Sequence, residues 1–307
     1  METQKNYQNN LLPSPQKSSG LVFSAATILP VLFSFVFLIA IAVLGLAKDE
    51  SYLTQDWYLY ANYLLPQLSS LAVIAFYMYY TKKPLKQTLI SQKCAPKYFA
   101  IALLMQVGLF ALSQLNGYFL QWLENFGYQD QGMPMPSLDG WGFVGVFLVI
   151  AVFAAVLEEL VFRGALLEGL KGFSTPVAAL ICGGLFALFH QNPAQTLYQF
   201  CCGTAFAFIA LCSGSVLPTV LSHFVNNAAI LILYKCGIHE FSPTVNIIVI
   251  SVSLACLALA ILWLAVWDKN KEKQTKKKAN GKEFFLYASV GIAISTLTWL
   301  LVLFSGM

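Results

Sequence analysis

Of the 307 residues, 58% are apolar and only 10% carry a charge, and the mean hydropathy is +0.68. Soluble domains hold about 25% charged residues, so the composition excludes an ordinary soluble domain and indicates an integral membrane protein. The net charge of +4 does not point to nucleic acid: seven lysines fall between Lys269 and Lys282, and a basic loop beside a membrane face is drawn to anionic headgroups of the bilayer.

The first 22 residues are polar and too long for the leading region of a signal peptide. The apolar run after them exceeds the roughly 7 to 15 residues of a signal core, so the first helix is expected to be retained. Apolar stretches near the ~20 residues that cross a hydrocarbon core then recur at 23–47, 57–80, 98–120, 143–170, 174–190, 193–212, 215–234, 243–267 and 284–305. The expected fold is all-α, a polytopic transmembrane helical bundle of about nine helices, with eight to ten as the range. A cytoplasmic N-terminus puts every basic residue except Lys48 and Lys235 on the inner side, as the inner excess of positive charge requires.

This divides the chain into a cytoplasmic tail at 1–22, N-terminal helices at 23–140, a core at 141–234, and C-terminal helices at 243–307 with a basic cytoplasmic loop at 268–283. In the outer helices the scattered polar residues Asn62, Gln67, Gln106, Gln114 and Asn116 are expected to bond to neighbouring helices. Pro30, Pro66 and Pro218 are expected to act as kinks, and Gly183 and Gly184 to let another helix approach. The seven cysteines show no CxxC pair and lie mostly inside spans, which argues against a disulfide framework.

The unusual chemistry lies in the core. Ionisable groups at membrane depth cost about 2.5 to 3.5 kcal/mol each on insertion scales, which marks them as functional by default. Glu158 and Glu159 are adjacent and so point about 100° apart on a helix. Arg163, the only arginine in the chain, is four residues beyond Glu159, where opposite charges stand side by side. Pairing Glu159 with Arg163 as a supporting ion pair leaves Glu158 as the odd carboxylate, suited to taking a proton.

Downstream, His190 closes an apolar run one turn after Phe186. His223 and Asn227 are four apart and share a helix face, while Asn226 is expected to point elsewhere. With about 1.5 Å of rise per residue, Glu158 and His190 lie roughly 20 and 24 Å along their helices, and His223 and Asn227 about 12 and 18 Å. These levels overlap enough for one constellation.

The ordered set EExxxR, FxxxH and HxxxN, here Glu158-Glu159 to Arg163, Phe186 to His190 and His223 to Asn227, resembles the CPBP family over about residues 141 to 234. That family includes Rce-type CAAX prenyl endopeptidases and bacterial bacteriocin-processing or self-immunity proteins. The resemblance implies an intramembrane endopeptidase in which Glu158 and His190 activate water and His223 and Asn227 stabilise the oxyanion. Its substrate would be a membrane-associated or lipid-anchored peptide or protein, and its location a cell membrane, with the composition favouring a bacterial plasma membrane.

A metal-free mechanism is favoured, because Asn227 suits an oxyanion better than zinc and no HExxH is present. Zinc held by Glu158, His190 and His223, with water in the fourth position, is the alternative. A second functional reading is a non-catalytic membrane partner, either a self-immunity protein or a sensor-kinase scaffold, in which the same residues form a structural network. A transporter is the weakest reading, since no inverted repeat supports it.

Overall fold

The computed structural model describes residues 12–84, 94–130, 132, 134–238, 241–268 and 280–307. Lys5, Lys86, Lys93 and most of the basic loop lie outside these residues. Among the described residues there are nine helical rods and no strand. They are α1 (Pro15–Val43), α2 (Asp56–Thr81), α3 (Lys97–Glu124), α4 (Trp141–Leu170), α5 (Thr175–Phe189), α6 (Thr196–Ser213), α7 (Leu217–Lys235), α8 (Pro243–Val266) and α9 (Gly281–Ser305). All but α5 are long and apolar enough to cross a membrane, so the chain is a multi-pass helical membrane protein.

The rods match the hydropathy spans closely, and α1 departs most. It begins at Pro15, with the Ser14 side chain accepting from Lys17 N, well before the apolar run at 23. Packing explains this early start. Ser19 Oγ donates to Ala165 O at 2.9 Å and accepts from Gly169 N at 2.9 Å, while Ser24 Oγ donates to Tyr287 O at 2.7 Å. Small polar residues hold α1 against α4 and α9, the pattern expected where lipid supplies no hydrophobic drive between helices.

The α4 rod is central. It packs against α1, α2 and α7, and its apolar residues Phe162, Leu166 and Leu170 are wholly buried with Phe186 and Phe284. It is also irregular: π-helical turns at Phe147–Phe153 and Leu160–Leu166 bracket the α-helical stretch Ala154–Glu159. Such widened turns are frequent at functional sites.

One end of the bundle gathers basic residues. Lys83 and Lys171 pair with Glu168 at 3.1 and 3.3 Å, and Lys97 pairs with Asp268 at 2.7 Å. At the other end Gln129 N donates to Gly306 O at 2.8 Å, and Lys235 Nζ donates to Leu138 O at 2.6 Å.

Helices α5 and α6 pack tightest, and the two adjacent glycines of α5 separate in role. A methyl group at Gly183 would strike the Thr204 side chain and come within 2.7 Å of Thr204 N and 2.9 Å of Phe200 O. Gly184 has nothing within 4 Å of such a group and plays no part in that approach. Gly183→Ala is expected to cost about 1 to 3 kcal/mol through overpacking, and Gly184→Ala to be neutral. Thermal unfolding of both variants in detergent checks this, and equal midpoints would contradict it.

The α5 helix has only 15 residues, roughly 22 Å, so it stops short of the far surface. The chain then turns inside the bundle through Gln191, in the left-handed region at φ 52°, and the short 3-10 turn Pro193–Gln195. Irregular backbone at this depth is tolerated only where it is enclosed by protein or lines a cavity. Asn116 Nδ2 donating to Ala194 O at 2.7 Å and Asn192 Oδ1 accepting from Ala194 N at 2.9 Å satisfy part of it.

Candidate active site

Glu159 is fully buried, and one carboxylate oxygen ties α4 to α7. Its Oε1 accepts from Arg163 Nη1 at 2.7 Å along α4 and from His223 Nδ1 on α7 at 3.0 Å. Arg163 spends Nη2 on Gly203 O of α6 at 3.0 Å, a carbonyl brought within reach by the glycine-mediated approach of α5 and α6. The guanidinium carbon also lies 4.5 Å from the ring centre of Phe186 and 5.4 Å from that of Phe206. A planar cation can use hydrogen bonds and ring faces together, which a lysine ammonium does less well.

His190 caps α5, and its Nδ1 lies 2.8 Å from Phe186 O. A carbonyl only accepts, so Nδ1 carries the proton and Nε2 is left for the cavity. The same reasoning applies to His223, whose Nδ1 faces the Glu159 carboxylate; its Nε2 stands 4.0 Å from Glu158 Oε2. Phe186 touches both imidazoles edge-on, with ring centres at 4.6 Å from His190 and 6.0 Å from His223. The aromatic of the second motif therefore braces both histidines and receives Arg163.

Glu158, His190, His223 and Asn227 all line one cavity of about 580 Å³. The Glu158 carboxylate is almost enclosed, and its Oε2 has no hydrogen-bond partner. The 100° divergence of the two glutamates thus separates a carboxylate facing the cavity from one buried behind it.

Asn227 Nδ2 donates to Ile150 O at 2.9 Å, and its Oδ1 accepts from Asn226 Nδ2 at 3.1 Å. Ile150 belongs to the first π-helical turn of α4. Asn226 in turn accepts from Gln106 Nε2 at 2.9 Å and from the Tyr198 hydroxyl at 2.8 Å. Asn226 does not point away, as the helical wheel implies, but lines the cavity beside Asn227. The 100° step still leaves both within a cavity this wide, and two donors on its oxygen orient the Asn226 amide toward its neighbour.

Sequence reasoning missed other parts of the wall. Gln106, Gln114 and Asn116 bond across helices, to Asn226, Asn246 and Ala194. Asn62 and Gln67 of α2 line the cavity instead, and Gln67 Oε1 has no partner. Gln191, Gln195, Tyr198 and Gln199 line it from the turn after α5 and the start of α6. The cluster of amides at 191–199 was the available signal, since an apolar bundle has little use for so many carboxamides.

Glu158, His190 and His223 do not converge as a metal-binding set; among the described residues no three His, Cys, Asp or Glu side chains are placed to hold an ion. Both Nδ1 atoms are held by acceptors in the manner of metal-bound histidines, and His223 Nε2 stands 4.0 Å from Glu158 Oε2.

Residues 140–229 match the family model described as type II CAAX prenyl endopeptidase Rce1-like. The match covers all three motifs and agrees with the family resemblance those motifs carry. No curated protein and no solved structure matches the chain.

Proposed function

We propose that the protein is an intramembrane endopeptidase that hydrolyses a peptide bond of a membrane-associated or lipid-anchored substrate. The observation that carries this reading is the convergence on one cavity of an unpartnered Glu158 oxygen and two imidazoles held by their Nδ1 atoms. The family match supports peptidase chemistry in general.

In the proposed reaction Glu158 takes a proton from water while His190 Nε2 holds that water against the scissile carbonyl. The water oxygen bonds to the carbonyl carbon, and the carbonyl oxygen becomes an oxyanion. The second N–H of Asn227 Nδ2 donates to that oxygen, and the His223 imidazole, fixed through Nδ1 by Glu159, stands beside it; for its Nε2 to donate as well, that nitrogen carries a proton in this step. Fixed donors in a water-poor site are worth about 2.7 to 4 kcal/mol each where an oxyanion forms. The C–N bond then breaks as the proton held by Glu158 passes to the leaving amine, and the acid product leaves with the added oxygen.

With the N-terminus on the cytoplasmic side, the basic end of the bundle, where Lys83, Lys97 and Lys171 lie, faces inward. The test compares membrane-associated peptides from cells carrying the wild-type chain and a Glu158→Ala chain by mass spectrometry. A fragment that disappears in the variant, together with accumulation of its precursor, is expected. Identical peptide profiles, with Glu158→Gln protein retaining full biological function, would instead establish the non-catalytic partner role.

A further inference from the structure

Beyond the three motifs the cavity lining includes residues of α1 and α2, and each of these helices carries a proline there. Pro30 and Pro66 lie inside their helices and line the cavity. Proline has no N–H, so the carbonyl four residues earlier loses its helical donor. Those carbonyls belong to Ala26 and Asn62, and both residues also line the cavity. A sequence reading makes such prolines kinks; here each also borders the site, one turn after a residue that lines it.

Beside Pro66 stands Gln67, 8% exposed, whose Oε1 makes no hydrogen bond. Leaving a buried amide unpaired costs about 1 to 3 kcal/mol, a cost that an apolar residue of the same size avoids. A bound molecule that offers both N–H and C=O groups relieves it whichever way the carboxamide is turned. Gln191, Gln195 and Gln199 add three more carboxamides to the lining. Among the described lining residues Glu158 and the two histidines are the only ionisable groups apart from tyrosine hydroxyls.

We propose that the lining residues Ala26, Pro30, Asn62, Pro66 and Gln67 form the subsite that binds an extended, uncharged stretch of substrate backbone in the cavity that Glu158 lines. The inference rests on the endopeptidase reading and narrows it. Peptide N–H groups bond to the carbonyls of Ala26 and Asn62, and Gln67 reads one peptide unit through its amide. A neutral amide-lined wall neither pairs a charged side chain nor holds a free terminal carboxylate, so the bound stretch is an internal, uncharged segment.

The test uses full-length protein in lipid nanodiscs. Binding of a short, end-blocked, dye-labelled peptide of Ala, Leu, Gln and Ser is measured in a Glu158→Gln background, and cleavage of the same peptide is measured with the wild-type chain. Adding Gln67→Leu is expected to weaken binding about two- to tenfold, the range of one neutral hydrogen bond. Pro66→Ala, whose new N–H claims Asn62 O, is expected to weaken binding by a similar factor. A glutamate placed within the peptide is expected to weaken it further.

A purely structural role gives the opposite sign, because Gln67→Leu removes a buried unpaired amide and Pro66→Ala improves the helix. Under that role both variants are more stable and bind the peptide as before, which overturns the proposal. Gln67-dependent binding without any product from the wild-type chain keeps the subsite and removes the hydrolase reading. Absence of both binding and cleavage removes both.

Discussion

Glu158→Gln is expected to lower the rate of peptide cleavage by about 10² to 10⁴, the range that positioned proton transfer contributes, with little change in the folded bundle. The substitution keeps the shape of the side chain and removes only its capacity to take a proton. Because Glu158 Oε2 has no partner, no hydrogen bond of that oxygen is lost. His190→Ala is expected to act in the same direction, and it also releases the Nδ1 contact to Phe186 O. Cleavage rates of purified variants in detergent, normalised to the fraction that elutes as folded protein, provide the check. Rates within a factor of about two of wild type in either folded variant would remove that residue from water activation.

Arg163→Met is expected to destabilise the protein by about 3 to 5 kcal/mol, because it strands the Glu159 carboxylate as a buried charge without its cation. The methionine retains apolar volume against Phe186, so the loss reports the charge more than the packing. The double variant Glu159→Gln/Arg163→Met is expected to recover much of that stability, since replacing both members of a buried pair leaves no unpaired charge. Cleavage is not expected to recover with it, because His223 Nδ1 loses the charged acceptor 3.0 Å away. Thermal unfolding read beside peptide cleavage separates these effects. A double variant as unstable as the single one would show that the arginine acts through its Gly203 bond and ring contacts instead.

Several features of this site were legible residue by residue. The Glu159 to Arg163 spacing places those groups on one face of any helix, and the structure has them in contact at 2.7 Å. The division between a paired Glu159 and a separate Glu158 follows from the same geometry. Helix limits were legible wherever apolar residues end at charged or turn residues, as in α5 through α9. The start of α1 was not, because Ser18 and Ser19 look solvated in sequence and are buried, with Ser19 bonded to α4. Hydropathy measures side chains one at a time, whereas small hydroxyls reach buried carbonyls on other helices.

The polar residues of the outer helices show a second limit. Gln67 and Gln106 read alike in sequence, each an amide in an apolar helix. Each has an Oε1 without a hydrogen-bond partner, yet Gln67 lines the cavity whereas Gln106 donates to Asn226. The contact from Glu159 to His223 spans 64 positions, and no spacing rule within one helix reaches that far.

The amino-acid sequence alone determined that the chain is a bundle of membrane helices, which residues share a helix face, and where charge sits at depth. Backbone geometry repeats every 3.6 residues, and burying charge in hydrocarbon is costly whatever surrounds it. Only the tertiary structure decided which imidazole nitrogens face the cavity, that Glu159 serves His223 as well as Arg163, and that the prolines of α1 and α2 border the site. Those properties depend on which helices meet, and that follows from packing between segments far apart in the chain.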